Sequence, residues 1–508
     1  MHKRVINIVN FIRGIDERGV RDLVSPVKAE IALVNRHGFP VTWLLQYDAL
    51  VTGPYVSLLK ESETAGYEYG LWFEVDRLLA EAAGIEWKGR YTWDYYSNFD
   101  FPYGYTLEER RRMCDAFVEM FRKTFGHLPK VMGSWTFDAY TLRYLHEKYG
   151  IIGACNCKDQ WGTDVYTVWG GYFANAYYPS IFNSYMPAST PENQIDVPVF
   201  RMLGSDPLHQ YDYKSEDGHQ LVVSLEPVYS EAGGNADWVD WFLKENFSNE
   251  DLGFSYAQAG QENSFPAEEI TPGLTMQFEK FERLRNAGKI ELLTLGQTAE
   301  WFRATYHETP ATAVTTLSDW QTPAANGVWY LSKNYRINIF QRPDGILSIR
   351  NWMRFDEAFM EYHLLTPITD KHCFYETLPV MDAYLWEGSS LLFSGGPGHI
   401  SDVRQTDGGN LSIEWRGNAC NDMRLELSPE GLECHFASSQ QFLNMKLEQS
   451  KLPESTKIQL GPKSIRFEFK GTAYELLASK GTILAKTDGW TARPDSSGDL
   501  RLSVRGSR

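Results

Sequence analysis

The sequence predicts an incomplete seven- or eight-stranded β/α barrel followed by an all-β sandwich. Over the first three hundred residues short apolar runs alternate with amphipathic stretches, the pattern of a parallel sheet covered by helices. From about residue 309 short runs follow one another between turn residues, and helical periodicity is scarce. A chain of 508 residues is long enough for two or three domains with sizeable cores. The expected division is therefore a barrel over 1–308 and a sandwich over 309–508.

The barrel strands are expected at 5–11, 41–46, 67–73, 130–135, 151–155, 220–225, 253–258 and 290–294, each an apolar run bounded by polar or turn residues. Helical spacing falls between them, at 26–36, 74–83, 106–125, 139–149, 236–245 and 272–287. Thr106 followed by Leu-Glu-Glu is a capping box, and Asp138 stands where it caps the helix from 139. In the second half Pro343-Asp344-Gly345 and Pro429-Glu430-Gly431 sit between alternating runs, which predicts hairpins.

Lysine plus arginine number 49 against 66 acidic residues, a formal net charge of −17. That balance opposes nucleic acid and anionic membrane as general partners. No stretch approaches the roughly eighteen apolar residues of a membrane span, and the N-terminus enters a strand pattern without a signal-peptide apolar region. A cytoplasmic location is expected unless a leader has been removed. The six cysteines, at 114, 155, 157, 373, 420 and 434, lack zinc-site spacing and are expected to be structural thiols.

Residues Gly66-Tyr67-Glu68-Tyr69-Gly70-Leu71-Trp72-Phe73-Glu74-Val75-Asp76 resemble the second motif of the polysaccharide deacetylase (NodB-like) family, Gly-His-Glu-Ile-Gly-Asn-His-Thr-x-x-His. The Gly-x-Glu-x-Gly frame is kept, but Trp72 and Asp76 stand at the family's metal-binding histidines. Asn10-Phe11-Ile12-Arg13-Gly14 falls where the family has Thr-Phe-Asp-Asp-Gly, the source of its catalytic base and a metal ligand. The resemblance spans roughly residues 5–305 and implies the deacetylase-like barrel. An indole nitrogen only donates and a guanidinium carries no acceptor, so neither a metal nor another cofactor is expected. Arg13 is instead suited to holding a carboxylate, which points to an anionic sugar. The layout of barrel then sandwich is also similar to glycoside hydrolase families 38 and 57, at the level of architecture alone.

Reactive groups in β/α barrels sit at the C-terminal strand ends and the loops that follow. Those ends carry Asp16, Glu17, Asp48, Glu68, Glu74, Asp138, Asp159, Asp164, Glu226, Glu231 and Glu262, with few histidines. Many of these can serve as caps or solvated charges, and Glu68 is expected at the barrel floor. Glu74 and Glu262 are the preferred catalytic pair, with Asp16 and Asp159 in reserve. Two opposed carboxylates are the minimum for glycosidic cleavage, one protonating the leaving oxygen and the other attacking or activating water. Aromatic clusters at 87–96 and 166–185 suit sugar faces, or else pack loops onto the barrel. The substrate-binding candidates are Arg13, Trp72, Trp93, Asp94, Trp135, Gln160, Trp161, Trp169, Arg201, Asp206 and Gln261.

The expected function is a metal-independent carbohydrate-active enzyme, a glycoside hydrolase acting on an oligosaccharide or glycoside. The alternative is a catalytically silent carbohydrate-binding module on the same barrel. A deacetylase with rebuilt ligands is disfavoured because no His-x-x-x-His pair remains.

Overall fold

A computed structural model describes residues 2–17, 22–162, 164–213, 220–221, 223–249, 252–418 and 421–506. The barrel strands are β1 Lys3–Ile12, β2 Val41–Leu45, β3 Tyr67–Trp72, β4 Val131–Gly133, β5 Gly153–Asn156, β6 Val199–Arg201, β7 Phe254–Ala259 and β8 Glu291–Leu293. The sheet runs β7-β1-β2-β3-β4-β5-β6 with every neighbour parallel, and β8 also pairs with β1. Short Ala176–Tyr177 closes the far edge antiparallel to β6. The last eight residues of β1 are buried, as expected of a parallel strand covered on both faces.

The sixth strand corrects the sequence reading. Among the described part of 220–225 there is no strand, only isolated bridge residues, one of them pairing Ser224 with Ser205. Val199–Arg201 takes the place beside β5. A three-residue strand is too short to show a period, whereas Val223 and Leu225 are buried from irregular backbone and imitate one.

Helix signals transfer well. Thr106 caps Leu107–Phe125 with both halves of the capping box in place, and Asp138 caps Ala139–Tyr149 by accepting from the Thr141 amide at 2.9 Å. Asp138 also forms a wholly buried ion pair with Arg110 at 2.9 Å. The helix expected from 272 begins earlier, as Ala267–Asn286, and carries Pro272 within it. The glycine frame of the third strand has a steric cause: a Cβ on Gly70 would lie 2.6 Å from the Val131 carbonyl oxygen and 2.8 Å from Leu44 Cδ2. Glu68 accepts from Thr42 Oγ1 at 2.8 Å and from the Gly296 amide at 2.9 Å, which ties the barrel floor together.

From Thr312 onward the described strands other than Cys373–Tyr375 form two large antiparallel sheets. One is nine-stranded and begins Thr312–Thr316, Asn326–Leu331, Tyr335–Gln341, Leu347–Arg354; the other is eight-stranded and begins Gly398–Thr406, Asn410–Gly417, Met423–Ser428, Gly431–Phe436. Both predicted hairpins form, and Gly345 and Gly431 adopt positive φ at the turns. The five described cysteines are free and buried; Cys420 lies outside the described residues. Among the described residues no helix is long and apolar enough to cross a membrane.

Barrel and sandwich share one core. Phe173 stacks on Trp329 at 3.9 Å between ring centroids, and the indole of Trp169 donates to Asp382 at 2.8 Å. Tyr166–Val168, in the loop after β5, pairs in parallel with Cys373–Tyr375. Asp159 and Arg336 form an ion pair of 2.9 Å with both side chains fully buried. Arg336 reaches Asn351 and the Gly171 carbonyl with its other donors.

Removing one partner of a buried ion pair leaves an uncompensated charge, which costs about 3–5 kcal/mol. Arg336→Met is expected to lower stability by that amount in chemical denaturation, with Asp159→Asn in the same background recovering part of it. A loss below about 1 kcal/mol for the single variant, the value of an exposed pair, would contradict this account.

Candidate functional site

The site is built on the loop that leaves β1. Asp48 accepts from the Gly14 and Ile15 amides at 2.8 and 2.7 Å and so turns the chain over the barrel mouth. Gly14 is required there, since a Cβ would come within 2.7 Å of the backbone of Asp48 and Ala49. The Asp48 amide in turn donates to Asp76 at 3.1 Å, and Asp76 caps Arg77–Ala82 through the Leu79 amide at 2.9 Å. Burial pushes the Asp48 carboxyl up to about 7 against the pull of its backbone donors. Burial together with the charge of Asp48 raises Asp76 as well.

This turn delivers Arg13 to the centre of the mouth, where it is 3% exposed. Its Nε and Nη2 grip Glu74 in a fork, at 2.8 and 2.7 Å. Nη1 donates to Glu262 and to Ser264 Oγ, the latter at 2.8 Å. The guanidinium lies 4.1 Å from the Trp93 ring centroid, a cation-π contact on a desolvated face. Burial alone would lower the Arg13 pKa, but Glu262 and Glu74 outweigh it and hold it well above its ordinary value. Asn263 fastens the main chain around the cation: its side chain accepts from the Arg13 amide and donates to the Arg13 carbonyl, both at 2.9 Å.

The two preferred carboxylates thus meet on one guanidinium but in different states. Glu74 is fully buried with both oxygens on Arg13. Glu262 keeps 13% of its side chain exposed, and burial raises it to about 7; Arg13 opposes that rise, while the charges of Glu226 and Glu74 add to it. Glu226, on the carboxylate list but outside the preferred pair, is buried and raised by desolvation, with Lys158 opposing. It accepts from Gln261 Nε2 at 3.2 Å. Ser264, Lys158 and Tyr229 also surround this group and were missed by the sequence reading. Lys158 alone left a signal, standing just after β5.

The remaining candidates divide sharply. Trp72 is not a sugar platform: it fills the barrel interior, stacked on Phe11 at 3.7 Å and edge-on to Trp135 at 5.5 Å. Trp93 is buried and donates to Asp100 at 2.7 Å, so it serves Arg13 from beneath. Asp94 is held by Arg90 through a two-bond fork of 2.9 and 2.7 Å. Asp159 is withdrawn as a reserve acid because Arg336 occupies it. Trp169 belongs to the joint with the sandwich, as do the neighbouring aromatics Tyr172 and Phe173. Asp206 accepts from the amides of Leu208 and His209 and from the Trp238 indole, a structural knot. Gln160 is buried in a backbone bridge to Val168. Arg201 lines a small internal cavity. Asp16 is half-buried one residue before Glu17, which accepts from the Thr92 amide. Trp135 and Trp161 keep partly exposed rings. Arg13 also revises the anionic-ligand expectation, for its fork is already filled by protein carboxylates.

The solved structures locate this barrel. No protein-family model matches the chain, and no curated protein does. A crystal structure from Parabacteroides distasonis, provisionally described as a glycoside hydrolase/deacetylase, is similar at a TM-score of 0.56 and 16% identity, over 76% of this chain and 93% of that one. The fold is that of the glycoside hydrolase/deacetylase barrel. Structures provisionally described as polysaccharide deacetylases, from Mycobacterium smegmatis and Pseudomonas aeruginosa, each cover 60% of this chain at TM-scores of 0.37, with 11% and 13% identity. In this deacetylase-like barrel the residues at the motif's metal positions do not fit a divalent ion. Trp72 is stacked and buried, Asp76 is a helix cap, and Arg13 supplies a positive charge.

The raised Glu262 pKa has a consequence for stability. Between the ordinary carboxylate range and about 7 the folded chain holds a proton that the unfolded chain has lost, so this group's contribution falls as pH rises through that window. Relative to the wild type, Glu262→Gln is expected to gain up to about 3 kcal/mol between pH 4.5 and 8, at about 1.4 kcal/mol per unit. Denaturation curves of both proteins across that range check it, and a difference that does not change with pH would refute it.

Proposed function

We propose that the chain is a glycoside hydrolase in which Glu262 is the general acid and Glu226 the second carboxylate, with Glu74 holding Arg13 in place. One observation carries this reading: Glu262 is a partly exposed carboxyl at the barrel mouth, held near neutral pKa by burial beside two further glutamates. A proton donor must keep its proton at working pH and give it up in the transition state, which a carboxyl near 7 does. Glu226 is then the group that attacks the anomeric carbon or activates water. Trp135, edge-on to Trp72 and Phe11, offers a rigid ring at the same mouth for a sugar face. Because Arg13 is already neutralised, neutral glycosides are favoured over uronic acids.

The fold similarity supports carbohydrate chemistry by analogy only. A second reading, a silent carbohydrate-binding barrel, is favoured by the closure of the mouth, where Arg13 locks Glu74 out of solvent.

Screening chromogenic glycosides separates the two. On a substrate so found, Glu262→Gln is expected to lower turnover by about 10²–10⁴-fold while KM changes little, and to abolish the alkaline limb of the pH profile. Turnover should be the same after exhaustive chelation. Retention of near-normal turnover by both Glu262→Gln and Glu226→Gln would overturn the assignment. Binding of oligosaccharide without turnover of any glycoside would favour the silent barrel. Trp135→Ala is expected to weaken saccharide binding, read by tryptophan fluorescence, with melting unchanged; Trp169→Ala should lower the melting temperature instead.

A further inference from the structure

Behind the mouth, between β6 and the sandwich, lies the small cavity of about 30 Å³ lined by Lys158, Asn175, Arg201 and Ser205 among apolar side chains such as Phe173 and Phe242. Arg201 is 4% exposed and Lys158 is 5% exposed. Arg201 Nη1 donates to Asn156 at 3.1 Å, while Nε and Nη2 have no acceptor, and Ser205 Oγ is likewise without a partner. Asn175 spends its amide N–H on the Phe254 carbonyl at 3.1 Å, leaving its Oδ1 without a donor. No carboxylate lines the cavity; Lys158 also faces the charge of Glu226, whereas Arg201 has no carboxylate within ion-pair distance among the described residues.

An arginine does not shed its proton to escape burial, so its charge must be met by something. The other buried guanidiniums behave accordingly: Arg13, Arg110 and Arg336 each have a carboxylate within hydrogen-bond reach. Arg201 is the exception: no carboxylate among the described residues lies within ion-pair distance, and its polar neighbours are the Lys158 cation, the Ser205 hydroxyl and the neutral side chains of Asn156, Asn175 and Tyr177. The cavity exceeds the 10–15 Å³ that one water needs but is far too small for a sugar ring. The geometry points to a halide site: we infer that chloride binds between Arg201 and Lys158, with Ser205 Oγ donating to it, as the structural counter-ion of this corner of the barrel. This inference does not depend on the glycosidase reading.

The full-length chain tests it. Crystals soaked in sodium bromide are expected to show an anomalous peak within hydrogen-bond distance of Arg201 Nε or Nη2. In solution the melting temperature should rise by several degrees, saturably, as sodium gluconate is exchanged for sodium chloride at constant ionic strength, because a ligand bound only by the folded state stabilises it. Arg201→Met should abolish that chloride dependence. If this variant does not fold, Lys158→Met is expected to weaken the apparent halide affinity at least tenfold, and the bromide peak in the unaltered protein stands independently. A melting temperature indifferent to the identity of the anion, with no bromide density at Arg201, would overturn the inference and leave the cavity to water.

Discussion

A single positive charge organises the barrel mouth. Arg13 stands where the resemblance to deacetylases places an acidic residue, and the surrounding groups are arranged around its charge. Glu74 and Glu262 neutralise it, Trp93 covers its face, and Asn263 clamps its backbone. A buried cation with two carboxylates is a costly arrangement unless every donor is met, and here all three guanidinium nitrogens find acceptors. The charge of Arg13 is thereby met by an ion-pair network in which Glu262 is left partly open.

The same electrostatic logic explains why many chemically suggestive residues have no role at the mouth. Asp159, Asp206 and Asp382 are buried acceptors that fasten loops and sheets, each matched by a guanidinium, an indole or backbone amides. The aromatic run after β5 is spent on covering the sandwich, so its rings are large hydrophobic anchors with polar tips satisfied inside the protein.

Much of the architecture was legible in the sequence because it is written locally. Thr106 and Asp138 announce their helices by capping, Gly345 announces its hairpin, and β1 shows the unbroken apolar run of a doubly covered strand. Residues 199–201 did not, since three residues carry no period and their strand exists only because β5 lies beside it. At the site, Glu74 and Glu262 could be drawn together from strand-end positions. That Arg13 would hold both could not, because pairing between residues 61 and 249 positions apart is set by the fold and leaves no local trace. Glu226 was legible as a strand-end carboxylate but not as a neighbour of Glu262, since its position depends on an irregular segment that mimicked a strand.

The strand formed by Cys373–Tyr375 lies beside Tyr166–Val168, a pairing between segments some two hundred residues apart. On a ribosome the barrel's loop is therefore made long before the segment that completes it. Its apolar side chains must wait, exposed, while the first sandwich strands are synthesised, and closing so large a loop late in folding is slow. Until Tyr375 has been made, Tyr166–Val168 lacks the strand that pairs with it.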